Sequence, residues 1–307
     1  MADTPPLTVI INSSGGTASK LGDKLKVQVQ DAFTAAGVAI DLRLVEGSDI
    51  AAEVEQAPGK VVAVGGGDGT ISCAAGILSK QGRTLAVLPL GTLNHFAQAI
   101  GLDGTLEQAA HVACCGEERR IDLGIAGDRA FINNASLGMY PRMVRERDRL
   151  PLPKWIATIP AAVRILWRPG ARRLHLTIDG VVRRLHTPLL FIGNNRYSLK
   201  AGQVGERESL QDGVLSLYAV QARSALSLIL EALRILRGKA NDRQDFATLP
   251  DARELVVQRR GRHPVALDGE VTQMAFPLTF AIRAQALTVM WPSAARTPVP
   301  EPSPDPR

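Results

Sequence analysis

The residues best suited to chemistry sit where an apolar run meets a helical pattern. VVAV (61–64) leads into Gly65-Gly66-Gly67-Asp68-Gly69-Thr70, and ISCAAGIL (71–78) follows. Glycines let main-chain N–H groups approach a phosphate closely, and a helix N-terminus adds the positive end of its dipole. Asp68 is different in kind. A carboxylate there repels phosphate unless it holds a divalent cation or positions a reacting hydroxyl. The plainer alternative is a tight turn with Asp68 as helix N-cap. A second edge of the same design is TLAVLPLGTLNHFAQAIGL (84–102), where a strand ends at Pro89-Leu90, Gly91-Thr92 turns, and a helix starts near Asn94. Thr92 and Asn94 could bond a phosphate or the waters of a metal ion, or Thr92 could cap its helix. Two strand–Gly–helix edges in adjacent units of one sheet favour a shared ligand.

A third group is Asp268-Gly269-Glu270. In a strand, residues two apart share a face, so both carboxylates could enter one cleft. Neighbouring acids raise one pKa, which suits a base that takes a proton from an alcohol. Asp-Gly is equally a hairpin signal. His111, His175, His186 and His263 lack metal-ligand spacing, and Cys73 is expected to pack as a small apolar residue. Three cysteines, two of them adjacent (Cys114, Cys115), form no disulfide framework, which suits a reducing compartment.

The elements that must position these groups fall into two kinds. At about 150 residues per domain, 307 residues suggest two domains. With 45% hydrophobic and 21% charged residues, neither a disordered nor a collagen-like chain is expected. LTVIIN (7–12), AIDLRLV (39–45), KVVAVGG (60–66) and TLAVLPL (84–90) read as buried strands. Helices are expected from SSGG (13–16) to about Ala36, near 49–56 and over 69–80. This is the pattern of a parallel sheet covered on both faces. From about residue 119 short strands with Gly turns take over: 119–138 turning at Gly127-Asp128, 172–194 turning at Asp179-Gly180, then 212–220, 254–260, 264–270, 277–283 and 286–292. They predict an antiparallel sandwich or barrel interrupted by helices near 142–168 and 223–238. The division is 1–120, 121–292 and a Pro-rich tail (293–307) expected to be disordered. The N-terminus MADTPPLTVII lacks the basic region of a signal peptide. ALSLILEALRIL (225–236) is interrupted by Glu231 and Arg234 and is too short to span a bilayer.

Charge is unevenly distributed. The formal net charge is +6, yet residues 142–173 alone hold nine Arg and Lys against Glu146 and Asp148, leaving the rest nearly balanced. Trp155, Ile156, Ile159, Val163, Leu166 and Trp167 recur at helical spacing among these cations. That mixture suits peripheral docking on an anionic membrane surface; a packed helix with a solvated basic face is the alternative. Nucleic acid is not an expected partner, because no recognition motif is present and aromatic residues are few.

GGDGT (66–70) followed by PLGTLNHFA (89–97) resembles the diacylglycerol kinase catalytic-domain family, which includes bacterial soluble lipid kinases and sphingosine kinases. The resemblance continues in order through IDLG (121–124), FINNASLG (131–138), LQDG (210–213) and LDGE (267–270), to about Pro292. It implies an N-terminal α/β domain similar to NAD kinase and phosphofructokinase, a C-terminal antiparallel β-sandwich domain, and ATP with Mg²⁺ between them. It implies nucleotide contacts from Asn12, Ser13, Ser14, Gly15 and Gly16, from Gly66, Gly67, Asp68, Gly69, Thr70, Ile71 and Ser72, and from Thr92, joined by Asn94. A second, structural Mg²⁺ would lie at Asp212 with the main chain of Ser209 and Val214. The general base would be Asp268 or Glu270; Asp268 is the expected base and Glu270 part of the Mg²⁺–water network, with Asp68 the third catalytic candidate.

Three positions depart from the family pattern. No proline follows Asn12, His95 stands where an Asp that organises Mg²⁺ is frequent, and Ser72 stands where Asn is common. Imidazole does not replace a carboxylate at magnesium. The implied function is phosphoryl transfer from ATP to a lipid alcohol, diacylglycerol giving phosphatidate, in the cytoplasm or on the inner membrane face. NAD kinase, which shares GGDGT, and a nucleotide-binding regulator without turnover are the alternatives. A homodimer is left open.

Overall fold

In the N-terminal sheet, strands rich in Val, Ile and Leu lie side by side. A computed structural model describes residues 6–22, 24–102, 104–138, 141, 172–198, 207, 209–220 and 246–293. The expected helices near 142–168 and 223–238, nearly all of the basic segment 142–173, and the tail from 297 lie outside the described residues. β1 (Leu7–Asn12), β2 (Ile40–Val45), β3 (Val61–Gly66) and β4 (Thr84–Pro89) run parallel in the order β2-β1-β3-β4. Central β4 is buried throughout, whereas edge strand β2 carries Asp41 and Arg43 and is half-exposed.

The helix expected from 17 to 36 is broken at Gly22 (φ 50°) into α1 (Gly16–Leu21) and α2 (Lys24–Ala35). α3 (Ile50–Gln56), α4 (Asp68–Gln81), α5 (His95–Ala99) and α6 (Leu106–Cys115) follow. The step from β1 to β2 runs opposite to the steps β2 to β3 to β4. Right-handed crossovers therefore place α2 on one face and α3 with α4 on the other. The packing agrees: α2 lies against α6, and α3 against α4. The reversal opens a crevice between the ends of β1 and β3, where ligands of such sheets sit.

The second half is antiparallel: β5 (Glu117–Ala126), β6 (Arg129–Phe131), β7 (Asn134–Gly138), β8 (Arg172–Ile178), β9 (Val181–Thr187), β10 (Leu189–Asn194), β11 (Leu215–Val220), β12 (Phe246–Thr248), β13 (Glu254–Leu267) and β14 (Glu270–Trp291). The turns at Gly127-Asp128 and Asp179-Gly180 occur as expected. The segments 254–260 and 264–270, and likewise 277–283 and 286–292, are not separate strands. They are the long strands β13 and β14, each carrying an irregularity where two strands were expected: between Val257 and Gly261, and between Arg283 and Leu287. One end of β13 pairs with β8 and the other with β7, so this hairpin belongs to both layers of the sandwich. Leu176, Val257 and Phe280 from one layer and Leu190, Leu215 and Leu217 from the other share one buried cluster.

β14 then leaves the sandwich. Thr288 and Val289 pair in parallel with Thr84 and Leu85 of β4, making β14 the fifth strand of the N-terminal sheet. Leu287, Val289 and Met290 are buried in the N-terminal core beside Leu85 and Val112. The chain thus enters the first unit twice, before residue 126 and again after 286.

Candidate active site

Three turns meet at the crevice. Asn12 ends β1, and its side chain organises two of them: Oδ1 accepts from Ser14 N (3.1 Å) and Ser14 Oγ (2.7 Å), while Nδ2 donates to Thr70 Oγ1 (3.0 Å). Ser13 is tied to the end of β2 through Val45 O. Gly15 is the N-cap of α1, and Gly16 (φ 60°) has no room for a side chain, because a Cβ would lie 2.7 Å from Leu90 O. Gly67 and Gly91 touch main chain to main chain, so a Cβ on Gly91 would overlap Gly67. Asn94 (φ 51°) spends its amide inside the PLGT turn: Oδ1 accepts from Gly91 N, and Nδ2 donates to Pro89 O and Gly91 O. Thr92 is exposed at its tip.

Asp68 opens α4, yet its carboxylate caps another helix. It accepts from His95 N (3.2 Å) and Phe96 N (3.0 Å), the first N–H groups of α5. An acid can sit among glycines here because it lies between two helix N-termini, both favourable to negative charge. The N-terminus of α4 itself has Gly67 as N-cap and no side-chain cap, so its first-turn N–H groups remain for an anion. Gly66 is held close to Thr70, where a Cβ would meet Thr70 Cβ at 2.7 Å. Ile71 faces inward and is buried in the core.

The two remaining acids arrive from the other unit. Asp268 (φ 47°) and Gly269 (φ 84°) form the tight turn between β13 and β14, with Leu267 paired to Glu270. Positive φ at both central residues is the turn that Asp-Gly favours in hairpins. Asp268 is therefore not in a strand, and strand alternation does not align it with Glu270. The hairpin instead docks across α4. Glu270 lies against Gly69, where a Cβ would strike its carboxylate, while Ser72, one helical turn on, donates its hydroxyl to Ala130 O (3.1 Å) beside the segment that holds Asp268.

Asp268 also accepts from Ile132 N (2.8 Å), Asn133 N (2.8 Å) and Asn134 N (2.9 Å), so the FINN segment is a cradle for this carboxylate. Burial pushes its pKa up to about 6, against the downward pull of those hydrogen bonds. Between Asn12, Thr70, Ser72, Arg129 and Glu270 lies a cleft of about 510 Å³. Cys73, expected to pack as a small apolar residue, is instead exposed and lines this cleft, its thiol pushed up by partial desolvation and by Glu270.

Farther away, the LQDG loop is fastened by Asp122 of the IDLG segment. This buried carboxylate accepts from Gly213 N (2.7 Å) and from Gln285 N (2.8 Å) at the irregularity of β14. Asp212 accepts from Arg196 N (3.4 Å), Val214 O from Asn195 N (3.0 Å), and Ser209 Oγ from Gln211 N (3.0 Å). Beside this loop Asn194 Oδ1 and both amide atoms of Asn195 are buried with no partner among the described residues. Among the described residues no three His, Cys, Asp or Glu side chains cluster to cage a metal. A hydrated Mg²⁺ held by one carboxylate and main-chain carbonyls fits this donor set, since magnesium keeps several of its waters.

Sequence reasoning missed several members of the site. Lys80 and Arg129 bring positive charge to the cleft. Asp122 had only its place in IDLG to recommend it. Tyr197 and Arg207 carried no motif at all.

Comparison with known proteins agrees with the fold. Residues 6–126 match the diacylglycerol kinase catalytic domain, and residues 136–291 match the YegS C-terminal NAD kinase beta sandwich-like domain. "Probable lipid kinase YegS" of Escherichia fergusonii is 32% identical over 246 residues, covering 76% of this chain and 80% of that protein. "Probable lipid kinase YegS-like" of Chromohalobacter salexigens is 28% identical over 236 residues, covering 73% of this chain and 74% of the relative. Among solved structures, a diacylglycerol kinase from Bacillus anthracis str. Sterne superimposes with a TM-score of 0.65 at 18% identity, covering 95% of this chain and 98% of that one. A second structure from the same strain reaches 0.71 at 19% identity, with the same coverage.

Proposed function

The chain belongs to the diacylglycerol kinase catalytic-domain family, of the YegS-like lipid kinase type, and on that basis we propose that it transfers the γ-phosphoryl of ATP to the hydroxyl of diacylglycerol, giving phosphatidate. The observation that carries this reading is the docking of the Asp268–Glu270 hairpin, from one unit, against α4 in the other, with Glu270 on Gly69 of its first turn. A helix end suited to phosphate thereby lies beside a carboxylate suited to an alcohol proton.

Phosphoryl transfer asks the protein for positioning and charge more than for covalent chemistry. The N–H groups at the start of α4 and the Gly15-Gly16 turn bind the phosphates, with Lys80 and Arg129 adding charge. Asp268, fixed by three main-chain amides, accepts the proton of the lipid hydroxyl. Mg²⁺, when bound, neutralises phosphate charge; Asp68 and Glu270 would hold its waters at the nucleotide, and Asp212 with the Ser209 and Val214 carbonyls would hold a structural ion. Asn94 shapes its turn, because its amide is fully engaged with the main chain. No helix among the described residues is long and apolar enough to cross a membrane. Access to the lipid is proposed through the basic segment 142–173 at an anionic cytoplasmic surface.

The test is ATP consumption by the full chain with diacylglycerol, sphingosine, ceramide or NAD as acceptor, with the product identified by mass spectrometry. Phosphatidate formation that requires Mg²⁺ is the expected result. Turnover of NAD alone, or nucleotide binding without turnover of any acceptor, would overturn it.

A further inference from the structure

The amides that hold Asp268 are themselves held from behind. The peptide linking Ile132 to Asn133 gives its N–H to Asp268 Oδ1, while its oxygen, Ile132 O, accepts from Arg207 Nη1 (2.6 Å) and Asn194 Nδ2 (2.9 Å). The next peptide gives Asn134 N–H to the same Asp268 oxygen, while Asn133 O accepts from the Tyr197 hydroxyl (2.9 Å) and Asn194 N (2.9 Å). Arg207 Nη2 also bonds Asn133 Oδ1 (2.7 Å), so its guanidinium grips one residue's carbonyl and the next residue's side chain together. It lies over the rings of Phe96 (6.0 Å) and Tyr197 (5.8 Å). Phe96 is one of the two residues of α5 whose N–H Asp68 accepts, so this cation bridges the two units.

A hydrogen bond to a peptide oxygen polarises the N–H at the other end of the same peptide, and chains of such bonds strengthen one another. A bond from a charged donor is about twice as strong as a neutral one. Burial raises the Tyr197 pKa, keeping its hydroxyl a neutral donor.

From this arrangement we infer that Arg207, with Tyr197, is a positioning residue for the phosphoryl-transfer step: it braces the FINN peptides whose N–H groups aim the Asp268 carboxylate at the acceptor hydroxyl. The inference rests on Asp268 being the base. Arg207 touches neither nucleotide nor acceptor in this scheme, and it lies outside every motif of the sequence.

The test uses the full chain, with Arg207→Ala, Arg207→Lys, Tyr197→Phe and Asp268→Asn. Arg207→Ala should lower kcat about 10- to 100-fold, the scale of a small misplacement of a reacting group, with KM for ATP unchanged within about twofold. Arg207→Lys, which keeps the charge and one bond, should recover part of the rate. In an Asp268→Asn background Arg207→Ala should subtract nothing further, because its effect passes through that carboxylate. Independently of turnover, the amide proton resonance of Asn133 should move upfield in Arg207→Ala, and that of Asn134 in Tyr197→Phe. Unchanged amide resonances, or losses that multiply in the double variant, would overturn the brace. A wild-type rate for Asp268→Asn would instead overturn the base assignment, while the amide resonances still report on the brace.

Discussion

Asp268 stays ionisable in a half-buried turn because main-chain amides take the place of water around its carboxylate. With its pKa raised to about 6, kcat should fall as pH drops below about 6, where the base becomes protonated. Asp268→Asn should cost about two orders of magnitude in rate and abolish that acid limb, as a pH–rate profile would reveal. The stability effect has the opposite sense. The folded chain binds this proton more tightly than the unfolded chain, so the group's contribution to stability falls as pH rises from about 4 to 6. Glu270, on the cleft side of the hairpin, should show another defect: Glu270→Gln should raise the Mg²⁺ concentration for half-maximal rate. A defect in metal demand confined to Asp268→Asn would reverse the two roles. All three acids were legible by type and motif. Their geometry was not, because residues two apart share a face only within a strand, and Asp268 lies in the turn that Glu270 ends.

At the scale of elements, the strand–Gly–helix edges after β3 and β4 were readable from apolar runs ending in glycine. Their mutual attachment was not. Asp68 reaches 27 residues along the chain to cap α5, so it is more than the surface-loop residue that its glycine neighbours suggest. Asp68→Ala should therefore abolish turnover and also lower stability by about 1 kcal/mol, the usual scale for a lost cap; thermal unfolding of the variant measures it. Gly91 makes the converse point. Its contact with Gly67 leaves no space for a methyl group, so Gly91→Ala should spread both turns and weaken ATP binding by calorimetry more than it lowers Tm. ATP affinity equal to wild type would show that the two turns do not form one site.

On the scale of the whole molecule, β14 ties the two units into one structure. Its first residues carry the hairpin of Asp268 and Glu270, and its last residues complete the N-terminal sheet. Leu287 is fully buried in that sheet's core, and Leu287→Ala should destabilise by about 2–5 kcal/mol. A chain ending at residue 126 lacks this strand and should fail to give a cooperative transition by circular dichroism. A stable fragment of that length would mean the fifth strand is dispensable. For the basic segment 142–173, replacing Arg145, Arg147 and Arg149 with Glu should release the protein from anionic vesicles while ATP binding stays intact. Binding to neutral vesicles at high salt equal to that of wild type on anionic ones would contradict an electrostatic attachment.

Taken by itself, the sequence determined the class of each half and the residue types that gather at the crevice. Continuous apolar strands between helices require a sheet covered on both faces, and glycines beside carboxylates at strand ends require a turn open to phosphate and metal. These are properties of neighbouring residues, so a local reading recovers them. Tertiary structure alone decided the rest. It set Asp268 upon peptides about 135 residues earlier in the chain, placed Arg207 behind those peptides, and returned β14 to a sheet begun by residue 7. Such contacts join residues distant in sequence through hydrogen bonds to the main chain. Every residue carries the same main-chain groups, so side-chain types alone do not reveal which of them will meet.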